Sequence, residues 1–459
     1  MTGSVVELLR AQLGDRVDCT AHAREEARAD KSGHISAGVP LAVIHAESVT
    51  DVQTVMRIAH ATGTPVVTRG AGTGLAGGAN AGAGEIALSV RRMDRILEIH
   101  RDDLVAVVEP GILNAQLGEA LAPHGLWWAP DPASRAISTV GGNIATGAGG
   151  LLCAKYGAVR DAVLGVDLVL ADGRLLRLGH RTVKGVTGLD LTSLVIGSEG
   201  VLGVIVGATL KLRPLVAGQT RTLTAVFDTV RAAAVAAATV TASGVQPAIM
   251  ELMDTLSLTA AHRLLSLDPP APNAAQLTIQ TDGTAAVHEA QVISEALAEL
   301  GGTVRLAGDE VESERLWTIR RSMHPAMELL AAEAGGTTLI EDVSVPRSRL
   351  PEMFDEIARI EAAYGIRIPT VAHAGDGNLH PNFIFAGAEV PEMIWEAADE
   401  LFHAALRLGG TLTGEHGIGV LKRRWLAEEL GDDQWELQRQ IARVFDPTGI
   451  LNPGKVFQP

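Results

Sequence analysis

Between the strand-like PVV at 65–67 and the β-branched run EIALSV at 85–90 the chain passes through TRGAGTGLAGGANAGAG, and no other stretch constrains the fold as much. Gly72, Gly74 and Gly77 spell GxGxxG after a strand. In a nicotinamide-binding unit that spacing requires the third glycine to enter a helix. Here glycine recurs at Gly78, Gly82 and Gly84 before another strand begins, a composition that does not propagate a helix. The loop therefore joins strand to strand, which speaks against a Rossmann unit. What survives is simpler: consecutive small residues let backbone N–H groups converge on phosphate oxygens.

A second segment of this kind is PDPASRAISTVGGNIATGAGG at 130–150. Ser138, Thr139, Asn143 and Thr146 offer hydroxyl and amide groups, while Gly141 and Gly142 permit close approach. Alone, it also reads as an irregular loop held by Asx and Ser/Thr turns. Two such segments in one domain favour a large phosphate-bearing cofactor. Around them, residues 36–215 alternate short β-branched runs with glycine, and SVTDVQTVMRIAHATG supplies a helix capped by Ser48 or Thr50. Residues 1–35 read as a polar helical arm, 216–400 as an α+β domain, and 401–459 as a helical segment with a turn-rich tail. The fold class is α+β.

Composition removes several functions. A formal charge of −16 and only 3% aromatic residues oppose a nucleic-acid partner, which needs a basic footprint and stacking platforms. Cys19 and Cys153, the only cysteines, make no disulfide framework and suit a reducing cytoplasm. The N-terminal MTGSVVELLRAQLGDR has no signal-peptide pattern, and RAAAVAAATVTASG at 231–244 is a packed helix too short to span a membrane. Peripheral membrane contact and a homodimer stay open.

Seven motifs in order give a resemblance. PVVTRGAGTGLAGG, PDPASRAISTVGGNIAT, KYGAVRDAVLGVDLVLADGRLL and LVIGSEGVLGVI resemble the FAD-binding domain of the vanillyl-alcohol oxidase/p-cresol methylhydroxylase superfamily. HAGDGNLHPNF, GGTLTGEHGIG and DPTGILNPGKVF resemble its branch of FAD-linked D-2-hydroxyacid dehydrogenases, which includes cytochrome-linked D-lactate dehydrogenase, the flavin subunit of glycolate oxidase and D-2-hydroxyglutarate dehydrogenase. The resemblance implies a two-subdomain FAD-binding domain, an α+β substrate (cap) domain and a C-terminal helical segment returning to the FAD domain. It implies that Arg69, Gly70, Ala71, Gly72, Thr73 and Gly74 wrap the FAD pyrophosphate. Pro130, Asp131, Ser138, Gly141, Gly142, Asn143, Ala145 and Thr146 would line the ribityl chain and flavin. Glu199, Gly203 and Ile205 would meet the adenosine end, and Asn452 in the tail would join the cofactor site. No histidine lies between Thr68 and Asn80, so noncovalent FAD is expected.

HAGDGNLH at 373–380 carries the remaining chemistry. Asp376-Gly377 signals a two-residue type I′ hairpin. Centred there, His373 faces His380, and opposed residues share a face with Cβ atoms about 4.5–5.5 Å apart. Two imidazoles can then meet one ion; two solvated or hydrogen-bonded histidines are the alternative. Asn382 lies on the same face and is a candidate substrate contact. GEHG at 414–417 adds Glu415 and His416, and two histidines with a carboxylate form a metal set with open positions. The resemblance points to His373, His380 and Glu415 as ligands of a divalent ion (zinc, manganese or iron) and to His416 as base. It also points to Arg320, in ERLWTIRRSMHPA, as the clamp on a substrate carboxylate, for which a bidentate guanidinium is apt.

The expected reaction is oxidation of a D-2-hydroxy acid to the 2-oxo acid. The metal polarises the hydroxyl, His416 takes its proton, and hydride passes to flavin N5. Electrons then leave to a quinone, cytochrome or electron-transfer flavoprotein. The resembling dicarboxylate enzymes carry a second cation where this chain reads TTLIEDVSV at 337–345, with Glu341 and Asp342 and no Lys or Arg. D-Lactate or glycolate is thereby favoured over D-2-hydroxyglutarate, although Arg347 stands nearby. A flavin subunit that needs partner chains and a metal-dependent hydrolase are the rival readings. The hydrolase leaves both glycine-rich segments unexplained.

Overall fold

A computed structural model describes residues 4–457. They fall into two compact units: one runs to Gly150, resumes over Gly157–Leu215 and again from Glu415; the other comprises Leu151–Tyr156 and Val216–Gly414.

Among the described residues the first unit holds two larger sheets and one two-stranded pair. Strands β1 (Val17–Asp18), β2 (Ala42–His45), β3 (Val66–Arg69) and β4 (Ile86–Ser89) form the order β1-β2-β4-β3, with β4 parallel to both β2 and β3. A parallel pair needs a crossover, and the helix Val49–Thr62 supplies one. The Ser48 side chain caps it by accepting from Asp51 N–H, and Gly63 ends it in the left-handed conformation. Its Val52, Val55, Met56 and Ala59 are fully buried in the core beneath the sheet. Leu9 and Leu13, from the helix Val5–Leu13, enter the same core, and β1 pairs with β2. Leu9, Leu13 and Val17 thus pack their apolar side chains into the core of this unit.

The second sheet of this unit contains β5 (Ile96–His100), β6 (Val105–Val108), β8 (Val163–Val169), β9 (Leu175–Gly179) and β10 (Val204–Lys211), in the order β5-β6-β10-β8-β9. A short pair joins β7 (Leu126–Trp127) to β11 (Arg213–Pro214). The segment whose composition also allowed an irregular loop folds as a helix over Val140–Thr146. Thr139 caps it, its Oγ1 accepting from Gly142 N–H at 3.2 Å. Two glycines are poor helix formers, yet position 141 demands one. A Cβ there would come within 2.8 Å of the Pro110 backbone.

The second unit is built on an eight-stranded antiparallel sheet. Its strands are β12 (Gln219–Phe227), β13 (Ile249–Met253), β14 (Ala275–Gly283), β15 (Thr303–Leu306), β16 (Gly336–Ile340), β17 (Val343–Ser344), β18 (Thr370–His373) and β19 (Asn378–Ala386). The order is β15-β12-β14-β13-β18-β19-β16, with β17 also on β19. The alanine-rich helix Val230–Ala242 buries Ala233, Ala234, Ala236, Ala237 and Val240, as a packed helix should. The stretch ERLWTIRRSMHPA around Arg320 spans two helices, Glu310–Arg321 and Met323–Glu333, separated at Ser322. The strap Leu151–Tyr156 is fastened here by Lys155 Nζ and Tyr156 Oη, each 2.6 Å from one oxygen of Asp282. Among the described residues no helix is long and apolar enough to cross a membrane.

Close packing at Gly141 predicts an asymmetric pair of variants. Gly141→Ala should lower stability by about 1–3 kcal/mol, the range for overpacking. Gly118→Ala, in the helix Asn114–Leu121 with no heavy atom within 4 Å of the added methyl, should leave Tm unchanged or higher. Equal Tm losses in the two variants, measured by thermal denaturation, would remove the packing explanation.

Candidate functional site

In the first unit the two small-residue segments lie together. β3 ends at Arg69, and a Cβ on Gly70 would meet Thr139 Oγ1 at 2.5 Å, so the loop after β3 rests on the cap of the helix Val140–Thr146. Gly72 has φ of +66°, a conformation that favours glycine. Ala71, Gly72, Thr73 and Gly74 are half-buried. Asn143 is buried, and its Nδ2 donates to no acceptor among the described residues. A buried amide donor of this kind is completed by a ligand or water. Backbone N–H groups in a glycine loop, a capped helix N-terminus and an unspent amide form a donor-rich cradle suited to a dinucleotide.

Other predicted cofactor residues have visible duties inside the protein. Ser138 Oγ accepts from Asn114 Nδ2 at 2.9 Å, and Thr146 Oγ1 donates to Gly142 O. Pro130 is buried, and Asp131 lies against Gly150. Ala145 O accepts from Glu199 N–H at 2.7 Å. Gly203 lies against Leu168, and Ile205 is buried in β10. The Glu199 carboxylate accepts from the N–H groups of Ile418 and Gly419 at 2.7 and 2.8 Å. Asn452 Nδ2 donates to Gly78 O and Glu199 O, tying the C-terminal tail to the glycine loop. In the same unit Glu415 lies against Gly149, and His416 Nε2 is 3.7 Å from Glu415 Oε1.

In the second unit HAGDGNLH forms the hairpin β18–β19, with a register different from the one expected. His373 opposes Asn378 and Val371 opposes His380, so the loop is the four residues 374–377. The type I′ turn does not form, since Gly377 takes a positive φ of 94° and Asp376 does not. Both donate their N–H to His373 O, and Asp376 Oδ1 accepts from Asn378 N–H at 3.1 Å. Gly377 also packs against the Val345 carbonyl, and Val345 N–H donates to Gly377 O at 3.0 Å. That contact from a distant part of the chain selects the wider turn. A shift of two residues preserves the face where a shift of one would reverse it. The histidines are diagonal neighbours, their rings 5.0 Å apart and edge-on.

Both histidines are buried, and acids back them. Glu251, directly opposite His373 on β13, brings Oε1 to 2.7 Å from His373 Nδ1. Its Oε2 accepts from Arg320 Nε at 2.7 Å and lies 2.6 Å from Nη2. Burial alone would raise the Glu251 carboxyl, but His373 and Arg320 hold it below its ordinary value. Arg321 instead pairs with Glu314 on the exposed side of the helix. Asp342, fully buried, has Oδ1 3.9 Å from His380 Nδ1 and accepts from Thr413 Oγ1 at 2.5 Å. Asn382 is buried beyond His380, its Nδ2 donating to the Pro369 and His380 carbonyls. His324 is exposed beside Glu328, and Arg347 is exposed too. A metal-binding histidine normally gives its second nitrogen to a carboxylate, and His373 is held in that way. The residues therefore fit a divalent ion. Sequence reasoning missed Glu251, although an acid inside the apolar run IMELM needs a buried partner.

These features define a flavoprotein-type fold with a second, polar-centred domain. Residues 40–179 match the family described as "FAD binding domain", and 218–456 match "FAD linked oxidases, C-terminal domain". The chain belongs to the FAD-linked oxidases, a family of oxidoreductases. It is 37% identical to glycolate oxidase subunit GlcD of Bacillus subtilis, over 91% of this chain and 89% of that protein. It is 34% identical to D-lactate dehydrogenase of Archaeoglobus fulgidus over 91% of each. A probable mitochondrial D-lactate dehydrogenase of Danio rerio is 32% identical, over 99% and 92% of the two chains. The fold is also that of 4-ethylphenol oxidase from Gulosibacter chungangensis, with TM-score 0.78, 19% identity and coverage of 99% and 97%. p-Cresol methylhydroxylase gives TM-score 0.76 at 18% identity, covering 99% and 96%. The hydrolase reading gives way to this membership, and the two glycine-rich segments belong to an FAD-binding domain.

Burial pushes the Glu199 carboxyl up to about 7, against the pull of the two N–H donors. A raised carboxyl lends stability that is complete below its ordinary value of about 4.5 and is lost as pH rises through about 7. Asp254, also raised to about 7 by burial, acts in the same direction. Tm should therefore fall between pH 5 and 8, and Glu199→Gln should flatten part of that slope. A Tm difference between wild type and variant that is the same at every pH would contradict the assignment.

Proposed function

We propose that this FAD-linked oxidoreductase oxidises a small D-2-hydroxy acid, D-lactate or glycolate, to the 2-oxo acid with the help of a divalent metal. The observation that carries the reading is the buried cluster of the second unit, in which one carboxylate, Glu251, holds both the Arg320 guanidinium and the His373 imidazole. An arginine and paired imidazoles are the groups needed to bind a carboxylate and to hold a metal beside its α-hydroxyl. The names of the relatives, glycolate oxidase and D-lactate dehydrogenase, agree with that substrate class.

Each residue has a defined task. Arg320 binds the substrate carboxylate, and its Nη1–Nη2 edge is suited to this because the Nε–Nη2 edge is turned to Glu251. His373 and His380 hold the metal through one ring nitrogen each. The resemblance in sequence supports Glu415 as a further ligand and His416 as the base that takes the hydroxyl proton on an imidazole nitrogen. Asn382 lines the same strand face. The metal, when bound, supplies a Lewis acid that lowers the hydroxyl pKa. FAD, held noncovalently by the glycine loop and the helix Val140–Thr146, supplies the two-electron acceptor when bound.

In the resembling dicarboxylate enzymes a second cation stands in the stretch that here reads 337–345, and this chain instead carries Glu341 and Asp342 there, both buried, with Arg347 exposed. This supports D-lactate or glycolate over D-2-hydroxyglutarate. Electrons then pass to a quinone, a cytochrome or an electron-transfer flavoprotein, with partner subunits an option in view of the glycolate oxidase relatives. Cys19 and Cys153 form no disulfide with one another, which accords with a reducing, cytoplasmic setting, and peripheral membrane contact stays open.

Anaerobic titration tests the reading. D-Lactate or glycolate should bleach the flavin absorbance of the purified chain, with L-lactate and D-2-hydroxyglutarate far less effective. Absence of bleaching by every acid, even with a membrane fraction added, would sink it. Arg320→Lys should raise KM roughly 10–100-fold, as expected for losing a charged hydrogen bond of about 1.5–3 kcal/mol. His373→Ala and His380→Ala should each lower metal content and turnover together. Full metal content and activity in either variant would remove that residue from the ligand set.

A further inference from the structure

Glu251 belongs to none of the expected ligand or substrate sets, yet it is a buried acid held from two sides. It is 1% exposed, it stands in the middle of β13, and no solvent screens it. Its two oxygens are divided between two partners: Oε1 faces His373 Nδ1 at 2.7 Å, and Oε2 receives Arg320 Nε at 2.7 Å. His373 is its cross-strand partner, so the sheet register itself delivers the imidazole. Arg320 arrives separately, from the helix Glu310–Arg321.

We infer that Glu251 is a positioning residue that makes the metal ligand and the carboxylate clamp one unit, tuning metal affinity and substrate affinity through a single buried charge. The inference rests on the function proposed above. A carboxylate at Nδ1 keeps the proton on that nitrogen, which selects the His373 tautomer whose Nε2 lone pair can ligate. The same negative charge makes the imidazole a stronger donor to a cation. On its other side it orients the guanidinium by one edge and leaves the other edge for a 2-hydroxy or 2-oxo acid. Without Glu251 the part-buried Arg320 guanidinium would lose this carboxylate partner, and the His373 ring would lose its fixed tautomer. Both affinities should therefore fall when this one carboxylate is neutralised.

The test uses the full-length FAD-loaded enzyme and titrates Mn²⁺ or Zn²⁺ into metal-stripped protein by calorimetry. Glu251→Gln should weaken metal affinity about 10–100-fold, the range seen when such supporting partners are removed. It should also raise KM for the hydroxy acid, with FAD content unchanged. Glu251→Asp retains the charge but is too short to reach both partners, and it should lie between wild type and Glu251→Gln. Long-range ¹H–¹⁵N spectra of histidine-labelled, metal-free wild type supply a readout that needs no variant at position 251. The signal lost in His373→Gln should report the Nδ1–H tautomer. An Nε2–H tautomer there, or wild-type metal affinity in Glu251→Gln, would overturn the inference while leaving the proposed function standing. If the flavin-loaded wild type binds no divalent ion at all, the metal-assisted function fails, and this inference fails with it.

Discussion

A negative charge shut inside an apolar sheet organises the second unit. Glu251 is almost wholly removed from water, and a lone carboxylate in such a place would protonate or destabilise the strand. It remains ionised because a guanidinium and an imidazole converge on it, and they converge because the fold supplies them from two directions. The sheet register brings His373 across from β18, while the helix Glu310–Arg321 lowers Arg320 from one side. Once that triad is set, His380 follows from strand parity, and Asp342 with Thr413 closes the far side of the pair.

The first unit solves a different problem by different means. A phosphate-rich cofactor needs N–H donors at close range, so backbone must replace side chain. Gly70 rests on the Thr139 cap, and Gly141 rests on Pro110, each at a separation that excludes a methyl group. The tail then locks this arrangement: Asn452 ties Gly78 to Glu199, and Glu199 holds the N–H groups of Ile418 and Gly419. Ser138, Thr146 and Asn452 thus serve the shape of the cradle through bonds inside the protein, while the buried Asn143 amide donates to no acceptor among the described residues.

Much of this was legible in the sequence because it depends on local chemistry. Glycine runs that forbid a helix separated the FAD-binding pattern from a Rossmann unit. That His373 and His380 share a face followed from a period of two, although they stand diagonal rather than directly opposed. The detailed register was not legible, because the Val345 carbonyl and N–H dictate the turn, and no local rule contains Val345. The helix Val140–Thr146 was hidden for a similar reason, since its two glycines answer a packing need at Pro110.

The sequence by itself determined the class of fold and the FAD cofactor, since motif order and glycine spacing are properties of the chain. Only the tertiary structure decided that Glu251 stands behind both His373 and Arg320. Residues 251, 320 and 373 are far apart along the chain, and burial in one sheet core is what makes the Glu251 carboxylate take the Arg320 guanidinium and the His373 imidazole as its partners.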